Sequence, residues 1–287
     1  MRLLATLFAL SLTFSATAAD LQRISVSAEG TGSDVVLIHG LNSSPKVWRE
    51  MMAAVPGHRY HLVAIKGFAG NGGDVGKGEG LVVAPVAEEV ARYIADNKLG
   101  KPAVIGHSMG GTIGLMVAAR HPDTVGKLMV VDMVPFLGAL FGPPGTTADS
   151  IKPTADGLLA SMRSAEPEAR RQRAIGTLNG MINTQAKRPA AIEDSLTSTP
   201  DVSARAYHEL VVTDLRAELG RIKAPLTVLY VVPKGFMTAE KIDAVYQAAY
   251  APVPQVKLKR IDDSAHFIMW DQPALFQAEV KQFLDGK

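Results

Sequence analysis

The segment Gly106-His107-Ser108-Met109-Gly110 carries the residue best suited to chemistry in this chain. A short apolar strand is predicted over Ala103–Ile105 just before it, and a helix of small residues is predicted over Thr112–Arg120 just after it. A Gly-x-Ser-x-Gly turn between a strand and a helix strains the serine backbone and exposes its hydroxyl at the carboxyl end of the strand. Ser108 is therefore the first candidate nucleophile, although ordinary glycine-rich turns can show the same five-residue pattern.

A serine hydroxyl becomes a good nucleophile only when a base removes its proton, and a histidine oriented by a carboxylate suits that role. His266 follows the last predicted strand and precedes the closing helix, so its side chain can reach across the edge of a sheet to Ser108. His107 lies inside the serine turn, where a structural role is the simpler interpretation. The remaining histidines are interpreted as surface residues: His39, His58, His61, His121 and His208.

The composition excludes several other kinds of protein. A chain of 287 residues with 47% hydrophobic residues can bury one large core with an insertion, or two smaller cores. The net charge of +2, with no basic stripe containing aromatic residues, argues against binding to nucleic acid. There is no cysteine, no cluster of metal-ligand residues and no dinucleotide fingerprint. We therefore expect neither a cofactor nor a metal ion, and a core that is stable without disulfides.

The first nineteen residues have the features of an export signal. Arg2 precedes an apolar run from Leu3 to Phe14, and the small residues of Ser15-Ala16-Thr17-Ala18-Ala19 provide a cleavage site. The apolar run is short for a membrane span. The expectation is a signal peptide over 1–19 that is removed, no stable membrane anchor after cleavage, and a periplasmic or secreted protein.

Strands and helices alternate along the chain, which predicts an α/β fold with a mostly parallel central sheet and helices on both faces. The alternation stops after residue 135 and resumes near 221, and helical segments are predicted between these points, around Leu158–Met162, Arg170–Asn183 and Ala204–Leu219. The predicted organisation is a core of residues 20–135 and 221–287, with a helical cap over 136–220. His39, Ser108, Asp132 and His266 all follow predicted strands, and the carboxyl ends of parallel strands are where sites of such sheets gather.

Three motifs, taken in this order along the chain, resemble the α/β-hydrolase fold superfamily. They are His39-Gly40, then Gly106-His107-Ser108-Met109-Gly110-Gly111, and finally Ser264-Ala265-His266-Phe267. Strands at the expected spacing extend the resemblance over nearly all of residues 21–287. Together these motifs are specific for the fold and much less specific for the substrate.

The resemblance implies a role for each of four residues. Ser108 is implied as the nucleophile and His266 as the general base. The backbone N–H groups of Leu41 and Met109 are implied as the oxyanion hole, which stabilises the negative charge of a tetrahedral intermediate.

The resemblance leaves the acid of the triad open. Most members place a carboxylate just after the strand that corresponds to Leu226–Val231, but here the turn reads Val232-Pro233-Lys234-Gly235-Phe236. Some lipases and haloalkane dehalogenases place it after the preceding strand, and Asp132 ends that strand here. Asp132 is therefore the first candidate, unless it only binds backbone groups of the loop that follows it. Glu240 is the alternative acid and would have to reach back from the first turn of its helix.

The leading hypothesis is a serine hydrolase that cleaves small or medium carboxylic esters through an acyl-enzyme. A lactonase, an amidase or a perhydrolase would use the same residues. A hypothesis from another class is a binding protein on this fold with slow or no turnover, which the empty acid position after Val231 favours. Epoxide hydrolases and dehalogenases are disfavoured because they carry Asp where this chain has Ser108.

Overall fold

The computed structural model describes residues 21–72, 80–232, 235 and 237–286. The predicted signal peptide over 1–19 lies outside the described residues, as do Pro233, Lys234 and Phe236 of the turn that lacks the expected carboxylate.

In the described residues, seven strands form one sheet: β1 (Ile24–Gly30), β2 (Ser33–Ile38), β3 (His58–Ile65), β4 (Ala103–His107), β5 (Lys127–Val131), β6 (Leu226–Tyr230) and β7 (Lys257–Arg260). Their order in the sheet is β1-β3-β2-β4-β5-β6-β7. β1 pairs with β3 in antiparallel fashion, and all other neighbours are parallel. The α/β fold class with a mostly parallel sheet is thereby confirmed.

Helices cover both faces of the sheet, because its central strands are apolar on both sides. In β2, Val36 and Ile38 pack into one apolar cluster, while Val35 and Leu37 pack into the cluster on the opposite face. In the described part of the chain, no helix is long and apolar enough to cross a membrane. The helices are α1 (Arg49–Ala54), α2 (Val83–Asp96), α3 (Met109–Arg120), α4 (Ala148–Arg163), α5 (Pro167–Met181), α6 (Arg188–Leu196), α7 (Pro200–Val212), α8 (Ala239–Tyr250), α9 (Ile268–Asp271) and α10 (Pro273–Asp285).

Helices α4 to α7 lie between β5 and β6 in the chain, which is the helical insertion that the sequence predicts. Two details differ from the prediction. The last inserted helix ends at Val212 instead of continuing to residue 219, because the Asp214 carboxylate binds the backbone N–H and the guanidinium of Arg216 outside the helix. Helix α6 was not predicted, since its buried face consists of Ala191 and the carboxylate Asp194 and shows no apolar stripe.

A buried carboxylate connects the insertion to the core. Glu209 of α7 is 2% exposed and accepts hydrogen bonds from the backbone N–H groups of Val82, Val83 and Ala84 at 2.6–2.7 Å. These groups lie at the start of α2, where the first N–H groups of a helix lack partners within the helix. Glu209, a residue of the insertion, therefore caps the core helix α2. Its negative charge also interacts favourably with the positive end of the helix dipole.

Replacement of Glu209 by Ala should lower the free energy of unfolding by about 3 kcal/mol, because buried N–H groups lose their acceptor. Glu209→Gln should lower the free energy of unfolding by less than Glu209→Ala does, since the Gln amide keeps one acceptor oxygen. Urea denaturation followed by circular dichroism measures both. Glu88→Ala, at an exposed position of α2, is the matched control. A loss for Glu209→Ala no larger than for the control would contradict the capping role.

Candidate active site

Ser108 lies between β4 and α3 in a backbone conformation that residues other than glycine rarely adopt, with φ 54° and ψ −122°. Its N–H donates to the Val131 carbonyl of the neighbouring strand at 2.9 Å, which fixes the turn. Glycine is required on both sides: a Cβ at Gly106 would lie 2.1 Å from the Gly110 carbonyl oxygen, and one at Gly110 would lie 2.1 Å from that of Ile38. The strained, partly exposed serine turn that the sequence predicts is therefore present.

The structure brings His266 and Asp132 together. The Nδ1–H of His266 donates to Oδ2 of Asp132 at 2.6 Å. The imidazole ring also lies 4.6 Å, centre to centre, from the ring of His107, the residue before Ser108. With Nδ1 bound to the carboxylate, Nε2 is the ring nitrogen that remains to accept a proton.

Asp132 is fixed from several directions. Its φ is 52°, and its N–H donates to the Leu229 carbonyl at 2.7 Å. The carboxylate oxygen Oδ1 accepts from the Val231 N–H and from the hydroxyl of Tyr246 in α8, each at 3.2 Å. Burial, together with the Asp132 charge, raises the pKa of Tyr246, so this hydroxyl keeps its proton and remains a donor.

The alternative acid, Glu240, binds groups other than His266. Its side chain is exposed in the first turn of α8. Its own backbone N–H and the Thr238 hydroxyl lower its pKa. The carboxylate bound to His266 is thus that of Asp132.

Three contacts fix the loop that carries His266. The backbone N–H of Ala265 donates to the Asp271 carboxylate at 2.9 Å, and that of Phe267 donates to the Met181 carbonyl at 3.2 Å. The Nε2–H of His107 donates to the His266 carbonyl at 3.1 Å. His107 therefore has the structural role that its position suggested.

Sequence reasoning did not single out Tyr246 or Asp271. Tyr246 belongs to the buried face of α8, and only its hydroxyl distinguishes it from an apolar core residue. Asp271 precedes Pro273 by two residues, an arrangement that predicts a helix start and nothing more specific.

The loop that follows β2 lies directly against Ser108. A Cβ at Gly40 would lie 3.1 Å from the Cβ of Ser108, so the backbone here packs tightly against the serine. Leu41 is the next residue, and Asn42 after it has a positive φ of 53°. Met109 is the first residue of α3, so its N–H has no acceptor within the helix. Both predicted oxyanion donors therefore belong to segments that adjoin Ser108.

The interpretation of three histidines as surface residues is wrong. His39, His58 and His61 are buried, at 1%, 9% and 2% exposure. Each buried ring has a polar partner within the protein. Nε2 of His39 accepts a hydrogen bond from the Ile65 N–H. The ring of His58 binds the Ser33 hydroxyl, and that of His61 binds the Asp34 carboxylate. Periodicity could not identify them, because a histidine with satisfied nitrogens is compatible with a core.

Burial lowers the pKa of His39 to about 4, although the Gly40 carbonyl and the Asp194 charge act in the opposite direction. Burial and the neighbouring His266 also lower the pKa of His107 well below its usual value. Both rings are thus neutral at pH 7. Among the described residues, no group of three or more His, Cys, Asp or Glu side chains is arranged to bind a metal ion.

Comparisons with known proteins agree with this architecture. The profile of the family described as alpha/beta hydrolase fold matches residues 35–273. The chain is 24% identical over 255 residues to a pimeloyl-acyl-carrier-protein methyl ester esterase of Vibrio cholerae, covering 88% of this chain and 95% of that protein.

Two solved structures show the same fold at low sequence identity. An esterase from Exiguobacterium antarcticum has a TM-score of 0.73 and 19% identity, with 94% of this chain and 98% of that chain covered. An enol-lactonase from Burkholderia xenovorans LB400 has a TM-score of 0.74 and 17% identity, with 91% and 96% covered.

The low pKa of His39 predicts an acid-sensitive fold. Between pH 6.5 and 4 the unfolded chain binds a proton at residue 39 that the folded chain does not, so the free energy of unfolding falls as pH falls through this range. The contribution of His39 is about 3 kcal/mol. This stabilisation is fully present above pH 6.5 and is lost progressively as the pH falls to about 4.

Urea denaturation of the wild type and of His39→Asn at several pH values checks this. The variant should be less stable at pH 7 but lose less stability on acidification. His121→Gln, at the surface, should follow the wild type. Equal pH dependence in the wild type and His39→Asn would show that residue 39 is not responsible.

Proposed function

The chain belongs to the alpha/beta hydrolase fold family, and on that basis we propose that it is a serine hydrolase that cleaves carboxylic esters through an acyl-enzyme on Ser108. The observation that carries this proposal is the 2.6 Å hydrogen bond between His266 and Asp132 beside the strained Ser108 turn. A nucleophile, a base and a group that orients the base are the parts that acyl transfer requires.

In the first half-reaction, Nε2 of His266 removes the proton of the Ser108 hydroxyl while the Ser108 oxygen attacks the ester carbonyl carbon. The carbonyl oxygen becomes negatively charged and accepts hydrogen bonds from the N–H groups of Leu41 and Met109. The tetrahedral intermediate then collapses, the bond to the alcohol oxygen breaks, and His266 returns the proton to the leaving alcohol. Ser108 is left as an ester of the acyl group.

In the second half-reaction, a water molecule gives its proton to His266 and attacks the acyl carbon. In the collapse of the second tetrahedral intermediate the bond to the Ser108 oxygen breaks, the carboxylic acid is released, and His266 returns its proton to that oxygen, which restores the Ser108 hydroxyl. Asp132 keeps the proton of His266 on Nδ1 throughout and stabilises the imidazolium that forms in each half. Its own orientation comes from the Val231 N–H and the Tyr246 hydroxyl.

An ester substrate is supported by the Vibrio cholerae relative, which is named a methyl ester esterase. The same atoms would attack lactones and amides. Rates of hydrolysis for methyl esters, aryl esters of increasing acyl length, and lactones therefore define the substrate preference. We also propose that residues 1–19 export the enzyme to the periplasm or the medium.

The alternative of a silent binding protein was favoured by one feature, the missing carboxylate after Val231. Asp132 supplies a carboxylate to His266 from the neighbouring strand end. That contact supports an enzyme rather than a binding protein.

Replacement of Ser108 by Ala should lower kcat for p-nitrophenyl esters at least about a thousandfold, because the nucleophile is lost. It should also abolish covalent labelling by a fluorophosphonate probe. The melting temperature should stay near that of the wild type, and Ser161→Ala, at an exposed position of α4, serves as the control. A Ser108→Ala protein with substantial turnover would remove this residue from the mechanism.

Replacement of Asp132 by Asn should reduce kcat/KM by at least about a hundredfold, since the amide no longer favours the required tautomer of His266. Glu240→Gln should leave kcat/KM near the wild-type value, because Glu240 binds Thr238 and its own backbone. Parallel kinetics of the two variants assign the acid. A larger loss in Glu240→Gln would reverse the assignment.

A further inference from the structure

The loop of residues 40–44, here called the oxyanion loop, needs support from outside itself. It connects β2 to the short 3₁₀ turn at Pro45–Trp48 and contains Asn42 with its positive φ of 53°. A positive φ costs a non-glycine residue free energy, although least for Asn and Asp, so the contacts around Asn42 help to keep it in this conformation. Leu41, the proposed oxyanion donor, directly precedes this residue, so any rotation at Asn42 would displace the neighbouring peptide groups.

The first support is a buried carboxylate of the insertion. The hydroxyl of Ser44 donates to Oδ2 of Asp194 in α6 at 2.5 Å, and each of these residues is 7% exposed. The other carboxylate oxygen accepts from Nζ of Lys46 at 3.3 Å. A hydrogen bond to an ionised, buried group is stronger and more directional than a neutral one at the surface.

The second support comes from the next inserted helix. The hydroxyl of Ser203 in α7 donates to the side-chain oxygen of Asn42 at 2.5 Å, and Ser203 is 5% exposed. This contact binds the residue that carries the unusual φ.

Both supporting residues belong to the α6–α7 turn (residues 194–203), which is itself attached to the core. The Thr199 N–H donates to the Gly67 carbonyl at 2.7 Å, and the Gly70 N–H donates to the Thr197 carbonyl at 3.1 Å. The Ala69 N–H donates to the Ser198 hydroxyl oxygen at 2.9 Å. The turn is thus fixed on the loop after β3, and it is a rigid base for the contacts it makes with the oxyanion loop.

From these contacts we infer that the α6–α7 turn positions the Leu41 N–H for the oxyanion, with Asp194 and Ser203 as positioning residues. The inference rests on the proposed function, and it gives the inserted helices a part in catalysis. Neither side chain needs to touch the substrate. Each acts through the backbone of the oxyanion loop, where a small displacement weakens a bond that forms fully only in the transition state.

The test compares Ser203→Ala, Asp194→Ala and Asp194→Asn with the wild type. Ser203→Ala and Asp194→Ala should each lower kcat about tenfold or more at unchanged KM, since an oxyanion donor is displaced rather than removed. The inhibition constant of a boronic acid, whose tetrahedral adduct places an oxygen in the oxyanion hole, should rise by the same factor. Asp194→Asn should recover most of the activity, because its amide oxygen can still accept from Ser44.

Ser195→Ala, at the position after Asp194 on α6, is the matched control and should behave as the wild type. If Asp194→Ala does not fold, Ser203→Ala decides alone, because it removes a single hydroxyl. Wild-type kcat and wild-type boronic acid affinity in Ser203→Ala, or no rescue by a folded Asp194→Asn, would overturn the inference. A wild-type protein that neither hydrolyses esters nor reacts with a fluorophosphonate would instead overturn the proposed function, and this inference with it.

Discussion

The hydrogen bond between His266 and Asp132 is the contact on which the rest of the site depends. It joins residues 134 positions apart in the chain, so it forms only when the sheet has placed the end of β5 beside the loop after β7. Both partners are fixed before any substrate arrives: Asp132 by the Val231 N–H and the Tyr246 hydroxyl, and the His266 loop by His107. Such preorganisation lowers the cost of charge development during reaction.

Backbone strain is concentrated at the same edge of the sheet. Ser108, Asp132 and Asn42 have positive φ and follow β4, β5 and β2, which are neighbours in the sheet. Such a conformation costs Ser108 on the order of 1–3 kcal/mol, and Asp132 and Asn42 less, and it persists because the contacts around each residue favour it. At Ser108 that packing is the contact of α3 with β2 and β4, which only the glycines at 106 and 110 allow.

The inserted helices are joined to the core by directional polar contacts as well as by apolar packing. Glu209 binds three backbone N–H groups of the core, and Asp194 binds Ser44. A buried carboxylate is costly unless its oxygens are satisfied, so these contacts specify one position of the insertion rather than many. Apolar contacts alone would allow the helices to slide, whereas each of these bonds has a preferred distance and angle.

The sequence by itself determined the α/β class, the helical insertion, the serine turn and the candidate histidine, because strand and helix periodicity and glycine requirements are local properties. It left Asp132 and Glu240 as competing acids, placed His39 at the surface and missed α6. Those questions depend on which side chains meet across strands and which face of an element is covered, and distance along the chain contains no information about either. Only the register of the parallel strands, which aligns Val131 with Leu229 and Leu229 with Lys259, decided that Asp132 lies where His266 can bind it.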